Sequence, residues 1–138
     1  MDRDVIEQKL ESLRRCVARV RQKCPATADI LAKDVDAQDI LTLNLTRAVQ
    51  LCVDIGAHLI AARDNPAPDT MGQTFDVLAD LATIPRELAA RMKKAVGFRN
   101  IAVHNYEAID WQIAHAIATR HMEDFTAFAA AVADAAGI

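Results

Sequence analysis

The chain has 138 residues, is 52% hydrophobic but only 4% aromatic, and carries a formal net charge of −3. That length suits one domain over residues 1–138, able to bury about two thirds of its unfolded surface, and the acidic balance argues against general coating of nucleic acid. The aliphatic bias favours a helical bundle, while four Gly and four Pro leave too few tight turns for a multi-hairpin β fold.

Residues 3–23 predict a first helix, because Val5, Ile6, Leu10, Leu13, Val17 and Val20 recur at helical spacing behind Asp2 as a cap. Its basic run of Arg14, Arg15, Arg19, Arg21 and Lys23 reads equally well as a solvated face. Pro25 stops it, and residues 27–33 offer a short turn of helix with Ile30 and Leu31 inward. Residues 37–63 predict a second, central helix with Asp36 as its N-cap. From Thr46 to Ala62 this helix is almost wholly apolar except for Arg47, Gln50, Asp54 and His58, whose spacing of i, i+3, i+7 and i+11 draws one polar stripe. Either the stripe is the side facing water, or it lines a groove opposite the fourth helix. In the second case Asp54 pairs with Arg99 and orients it, with His58 close by.

The run Asp64 to Asp69 contains two prolines and is the clearest loop. Thr70 and Gln73 then form a capping box that opens a short third helix carrying Phe75, Leu78, Ala79 and Ala82, with an acidic outer face from Asp76 and Asp80. Ile84 and Pro85 restart the chain, and a fourth helix runs through Leu88, Met92 and Val96 toward His104. Gly97 interrupts it, allowing a close backbone approach or loosening the last turns. After a break at 105–108, Asp110 caps a fifth helix reaching about Ala136, with Ile113, Ile117, Phe125, Phe128 and Val132 as its core face. The expected fold is therefore all-α, an up-and-down bundle of four to five helices.

Cys16, Cys24 and Cys52 are odd in number and lack metal-ligand spacing, which suits reduced thiols in a cytoplasm. The start is charged, without an apolar signal core, and the polar stripe interrupts the longest apolar segment, so no membrane span is expected. His115 and His121 are six apart, a poor metal spacing on a helix. No Ser-His-Asp order, Gly-rich phosphate loop, zinc signature or acidic metal cluster is present, so any chemistry is expected to run without a metal or cofactor.

The densest chemistry lies in Arg99-Asn100-Ile101-Ala102-Val103-His104-Asn105-Tyr106. On a helix Asn100 and His104 share a face, and Arg99 lies about 100° from Asn100, within reach of the same spot. Arg99 and His104 stand roughly 140° apart, so one copy of the helix does not close both around a small target, whereas a second subunit could. A guanidinium fork, a titratable imidazole and an orienting amide suit a phosphodiester. The competing reading makes His104 a C-terminal cap and Tyr106 a ring sealing the bundle. Residues 86–99 carry a local charge of +4, leaving −7 elsewhere, so Arg91, Lys93 and Lys94 are candidate RNA ligands leading into the motif.

Phe98 to Tyr106, followed by Ile109 and Asp110, resembles the signature of HepT-type toxins, a branch of the HEPN ribonucleases. The family pattern is Arg, four residues, His, one residue, Tyr, usually with Asn after the Arg; all four positions are occupied by Arg99, Asn100, His104 and Tyr106. A looser likeness extends through Arg47 to Gln50 and Asp54 to Ala61. The resemblance implies a HEPN-like bundle acting as a metal-independent RNA endonuclease toxin, with Arg99, Asn100 and His104 catalytic at the interface of a homodimer. It further implies a minimal nucleotidyltransferase antitoxin as partner, which silences the toxin by adding AMP to Tyr106. An alternative from a different class is a non-catalytic helical partner of a nucleotidyltransferase, holding nucleotide or RNA in the same groove.

Overall fold

The computed structural model describes residues 2–138. In chain order the helices are α1 (Arg3–Lys23), α2 (Ala28–Leu31), α3 (Val35–Ala62), α4 (Met71–Asp80), α5 (Arg86–His104), α6 (Trp111–Arg120) and α7 (Met122–Ala136), with a 3-10 turn at Tyr106–Ala108. The all-α expectation holds. The count exceeds four to five, because the short turn after Pro25 forms α2 and the expected fifth helix is two.

Local chemistry sets most of the boundaries. Asp2 accepts from the Val5 amide, Thr70 from Gln73, and Asp110 from Gln112, so three expected caps are in place. The central helix begins earlier than expected: Asp34, not Asp36, accepts from the Ala37 amide at 3.1 Å. Asp36 instead lies in the first turn, where its charge suits the positive end of the helix. The break between α6 and α7 falls at His121, whose φ of −120° and ψ of 8° leave the helical region. Asp124 fixes that corner by taking Arg91 Nε at 2.8 Å and facing His121 Nδ1 at 3.6 Å. The break also ends the single core face expected across both helices. Ile113 is exposed, and the small Ala114 and Ala118 form the buried side of α6.

The buried residues form one cluster around α3, which packs against α1, α4, α5, α6 and α7. Phe75 and Phe128 meet edge to face with centroids 5.7 Å apart. Gly56 lets α4 close on α3, since a Cβ there would stand 2.6 Å from Thr74 Cγ2. By length and composition α3 could cross a membrane despite its polar stripe, but half of the stretch concerned is buried inside the bundle. The ends of the chain meet where Arg3 donates to the Gly137 carbonyl at 2.6 Å.

All three cysteines are free. Burial raises the Cys52 thiol well above its ordinary value, and the nearby Cys16 pushes it the same way. His115 meets the Pro25 carbonyl at 2.9 Å and His121 faces Asp124 at the corner, so the two histidines of α6 and its end have structural partners.

Candidate active site

α5 runs antiparallel to α3, so that Arg99 meets Gln50 and, beyond the helix end, Tyr106 meets Asp39. The Arg99 guanidinium is held from two sides: Nη1 donates to Asn100 Oδ1 at 3.1 Å, and Nη2 donates to Gln50 Oε1 at a long 3.5 Å. The Gln50 amide in turn donates to Asp54 Oδ1 at 2.9 Å. Asp54 therefore stands one step behind Arg99, and the expected direct pairing of the two does not occur. The reason is axial position: Gln50 reaches Arg99 first, while Lys9 of α1 approaches the Asp54 carboxylate at 3.6 Å. His58 lies about 12 Å further along α3 than Gln50, is exposed, and makes no hydrogen bond or ion pair among the described residues.

Asn100 and His104 are both exposed on the outer side of α5. His104 occupies the last turn, but its ring makes no hydrogen bond among the described residues; the cap position is filled by the Asn105 amide bonding the Ile101 carbonyl. The expected interruption at Gly97 is absent, since α5 is continuous through it. Gly97 is exposed, and among the described residues nothing lies within 4 Å of where its Cβ would be. Gly97, Asn100, Ile101 and His104 stand at i, i+3, i+4 and i+7 and so share one face. Two exposed aliphatic side chains, Ile101 at 46% and Val103 at 52%, flank the polar pair.

Tyr106 is 39% exposed. Its ring stands edge to face against Trp111 at 6.0 Å, and its hydroxyl donates to Asp39 Oδ1 at 2.8 Å. Partial burial raises the phenol pKa first, then the hydrogen bond to Asp39 and that carboxylate's charge, with the Thr42 hydroxyl pulling the other way. Of the expected RNA ligands, Arg91 is neutralised by Asp124 and Lys93 by Asp76, at 2.8 and 2.9 Å. Lys94 is exposed without an ion pair among the described residues.

A family model described as ribonuclease HepT-like matches residues 6–132. The chain belongs to the HepT-like ribonuclease family. It is 33% identical over 125 residues to the mRNA nuclease HepT of Shewanella oneidensis, spanning 91% of this chain and 93% of that protein. It also superposes on a tri-AMPylated Shewanella oneidensis HEPN toxin in complex with an MNT antitoxin, with a TM-score of 0.89 and 31% identity over 97% of this chain and 99% of that one. A chain of a toxin-antitoxin complex with AMP-PNP gives a TM-score of 0.87 at 31% identity, over 96% and 99% of the two chains.

This HepT-like ribonuclease thus brings Arg99 and Asn100 into direct contact and leaves His104 open on the same helix. Two partners escaped the sequence reading. Gln50 was visible only as one member of a polar stripe. Asp39 carried no local signal at all, being 67 residues from the phenol it holds.

Proposed function

We propose that this ribonuclease is the toxin of a toxin-antitoxin pair, acting in the cytoplasm as a homodimer that cuts RNA without a metal through Arg99, Asn100 and His104. The observation that carries the reading is the anchoring of Arg99 between Asn100 and Gln50, on a helix whose exposed His104 has no hydrogen-bond partner among the described residues. The substrate supplies its own nucleophile. The ribose 2′-OH attacks the adjacent phosphorus, an O2′–P bond forms, and the P–O5′ bond breaks. His104 takes the 2′-OH proton and passes one to the departing 5′ oxygen, and a cyclic phosphate is left. Arg99 neutralises charge on the phosphate oxygens as it builds, and Asn100 holds the guanidinium in place. The bare Gly97 and the exposed Ile101 and Val103 support closure by a second copy, which would bring the His104 of one subunit to a phosphate held by the Arg99 of its mate.

The same reading gives Tyr106 to a nucleotidyltransferase antitoxin as the acceptor of AMP. Its exposure supports this, as does the tri-AMPylated state of the Shewanella oneidensis toxin. The anchor points of Tyr106 and Arg99 on α3, Asp39 and Gln50, are separated by about 16 Å along the helix. Adenylylation would therefore act on the His104 end of the site and on the face toward the second copy, by occupancy and by added negative charge.

The deciding experiment is cleavage of RNA by purified wild type, His104→Ala and Arg99→Ala, with circular dichroism to show that all three fold. Losses of about 10²- to 10⁴-fold are expected; undiminished cleavage by His104→Ala would sink the assignment. Tyr106→Phe should cut RNA but resist neutralisation by the antitoxin and ATP.

A further inference from the structure

A groove of about 640 Å³ runs between α1 and α3, and Gln50, the residue that receives Arg99, forms part of its lining. Arg15 and Arg19 of α1 line one side and Arg47 of α3 the other, with Cys16 and the exposed Leu43 also in the lining. All three guanidiniums are exposed. Arg15 has Glu11 at 3.4 Å on one side, whereas Arg19 and Arg47 have no ion-pair partner among the described residues. Other exposed arginines without an ion-pair partner among the described residues, Arg63 and Arg120, stand outside the groove, whereas Arg19 and Arg47 share its one concave lining with a third guanidinium, Arg15.

A guanidinium presents a planar fork of donors suited to phosphate oxygens and holds its charge at any working pH. Arg15 and Arg19 are one turn apart, roughly 6 Å along the axis. From Leu43 to Gln50 the groove follows α3 for about 10 Å, room for roughly three phosphates at about 3.4 Å each along a stacked strand. The lining contains no aromatic ring on which a base could stack. Contacts here would be to the backbone and would carry no sequence preference.

We infer that the α1–α3 groove holds the RNA strand flanking the scissile phosphate, with Arg15, Arg19 and Arg47 as phosphate ligands. This deepens the ribonuclease reading of Arg99 and His104 and rests on it. The basic run on α1 then has a use on one of its faces, through Arg15 and Arg19, while Arg14 turns away to Glu11 at 2.6 Å.

The test compares full-length wild type with the double variant Arg19→Glu, Arg47→Glu on a long single-stranded RNA and on a dinucleotide. The neutral pair Arg19→Gln, Arg47→Gln serves if charge reversal disturbs folding, and Arg63→Glu at the far end of α3 is the charge control. The expected result is a KM for long RNA raised about tenfold with kcat and dinucleotide cleavage little changed, and a salt-dependence slope reduced by about 0.7 per lost phosphate contact. Unchanged KM and slope in a variant whose parent cuts RNA would overturn the groove while leaving the catalytic reading intact. An equal rise in KM for Arg63→Glu would reduce the effect to net charge and overturn it too. So would conversion of the double variant to a monomer by light scattering with both substrates lost together, since the groove would then be a subunit contact. A wild type that cuts neither substrate would instead remove the catalytic reading on which the groove depends.

Discussion

The Tyr106 hydroxyl donates to Asp39 Oδ1 at 2.8 Å, tying the end of the motif to the first turns of α3. Partial burial, this hydrogen bond and the Asp39 charge all hold the phenol in its neutral form, above the ordinary value of 10.0. Tyr106 is the only tyrosine in the chain, so an ultraviolet titration of phenolate reads this one group. The midpoint of the folded protein should lie above that of the unfolded chain. Asp39→Asn should bring it part of the way back, because the burial contribution stays. The folded state binds this proton more tightly, so the stability it contributes is fully present below about pH 10 and is lost as pH rises through the folded value. A midpoint indifferent to Asp39→Asn would mean that the two groups are not in contact in solution.

Gly97 makes a different kind of prediction, because no neighbour among the described residues requires a glycine there. In an isolated helix, Gly97→Ala should stabilise by about 0.5–1 kcal/mol. If a second copy packs on the face shared with Asn100 and His104, a side chain at 97 obstructs it. Gly97→Leu should therefore melt no lower than wild type at low concentration, yet dimerise less and cut RNA more slowly. A variant that remains dimeric and fully active would move the subunit contact elsewhere.

The helices themselves were legible because periodicity and caps are local properties of the sequence. Val5 through Val20 mark one face of α1, and Asp2, Thr70 and Asp110 each bond an amide two or three residues on. What stayed hidden depends on relative rotation and offset between helices. A helical wheel places Gln50, Asp54 and His58 on one stripe, but it does not say which of them stands level with Arg99. The sequence reading places the cap of α3 at Asp36, but it is Asp34, two residues earlier, that bonds the Ala37 amide. The corner at His121 carries neither Gly nor Pro. It arises from tertiary packing and from the carboxylate of Asp124.

Gln50 gives the sharpest test of that hidden offset. Its carbonyl oxygen receives Arg99 and its amide is fixed by Asp54, so Gln50→Leu keeps much of the volume and removes the orienting contact. Because Asn100 still holds Nη1, the guanidinium should loosen without being lost. A displacement of that kind is expected to lower kcat about ten- to a hundredfold, with less effect from Asp54→Asn, which leaves an acceptor for the Gln50 amide. Steady-state kinetics on a single RNA would decide, and an Asp54→Asn defect larger than that of Gln50→Leu would contradict the relay order.

Gly56 should matter to stability and not to chemistry. It is buried on α3, and a Cβ built there falls 2.6 Å from Thr74 Cγ2 and 3.0 Å from Leu78 Cδ1. Leu78 is fully buried and Thr74 nearly so, which leaves neither much room to turn aside. The helix propensity of Ala, worth up to about 1 kcal/mol over Gly, works against the clash, but forcing apart two packed helices typically costs about 1–3 kcal/mol. Gly56→Ala is therefore expected to lower the midpoint of urea unfolding with no change in slope. The paired variant Gly56→Ala, Thr74→Ser removes the Cγ2 that the new methyl meets and should recover part of the loss. If Gly56→Ala proved as stable as wild type, the close approach of α3 and α4 would be wrong.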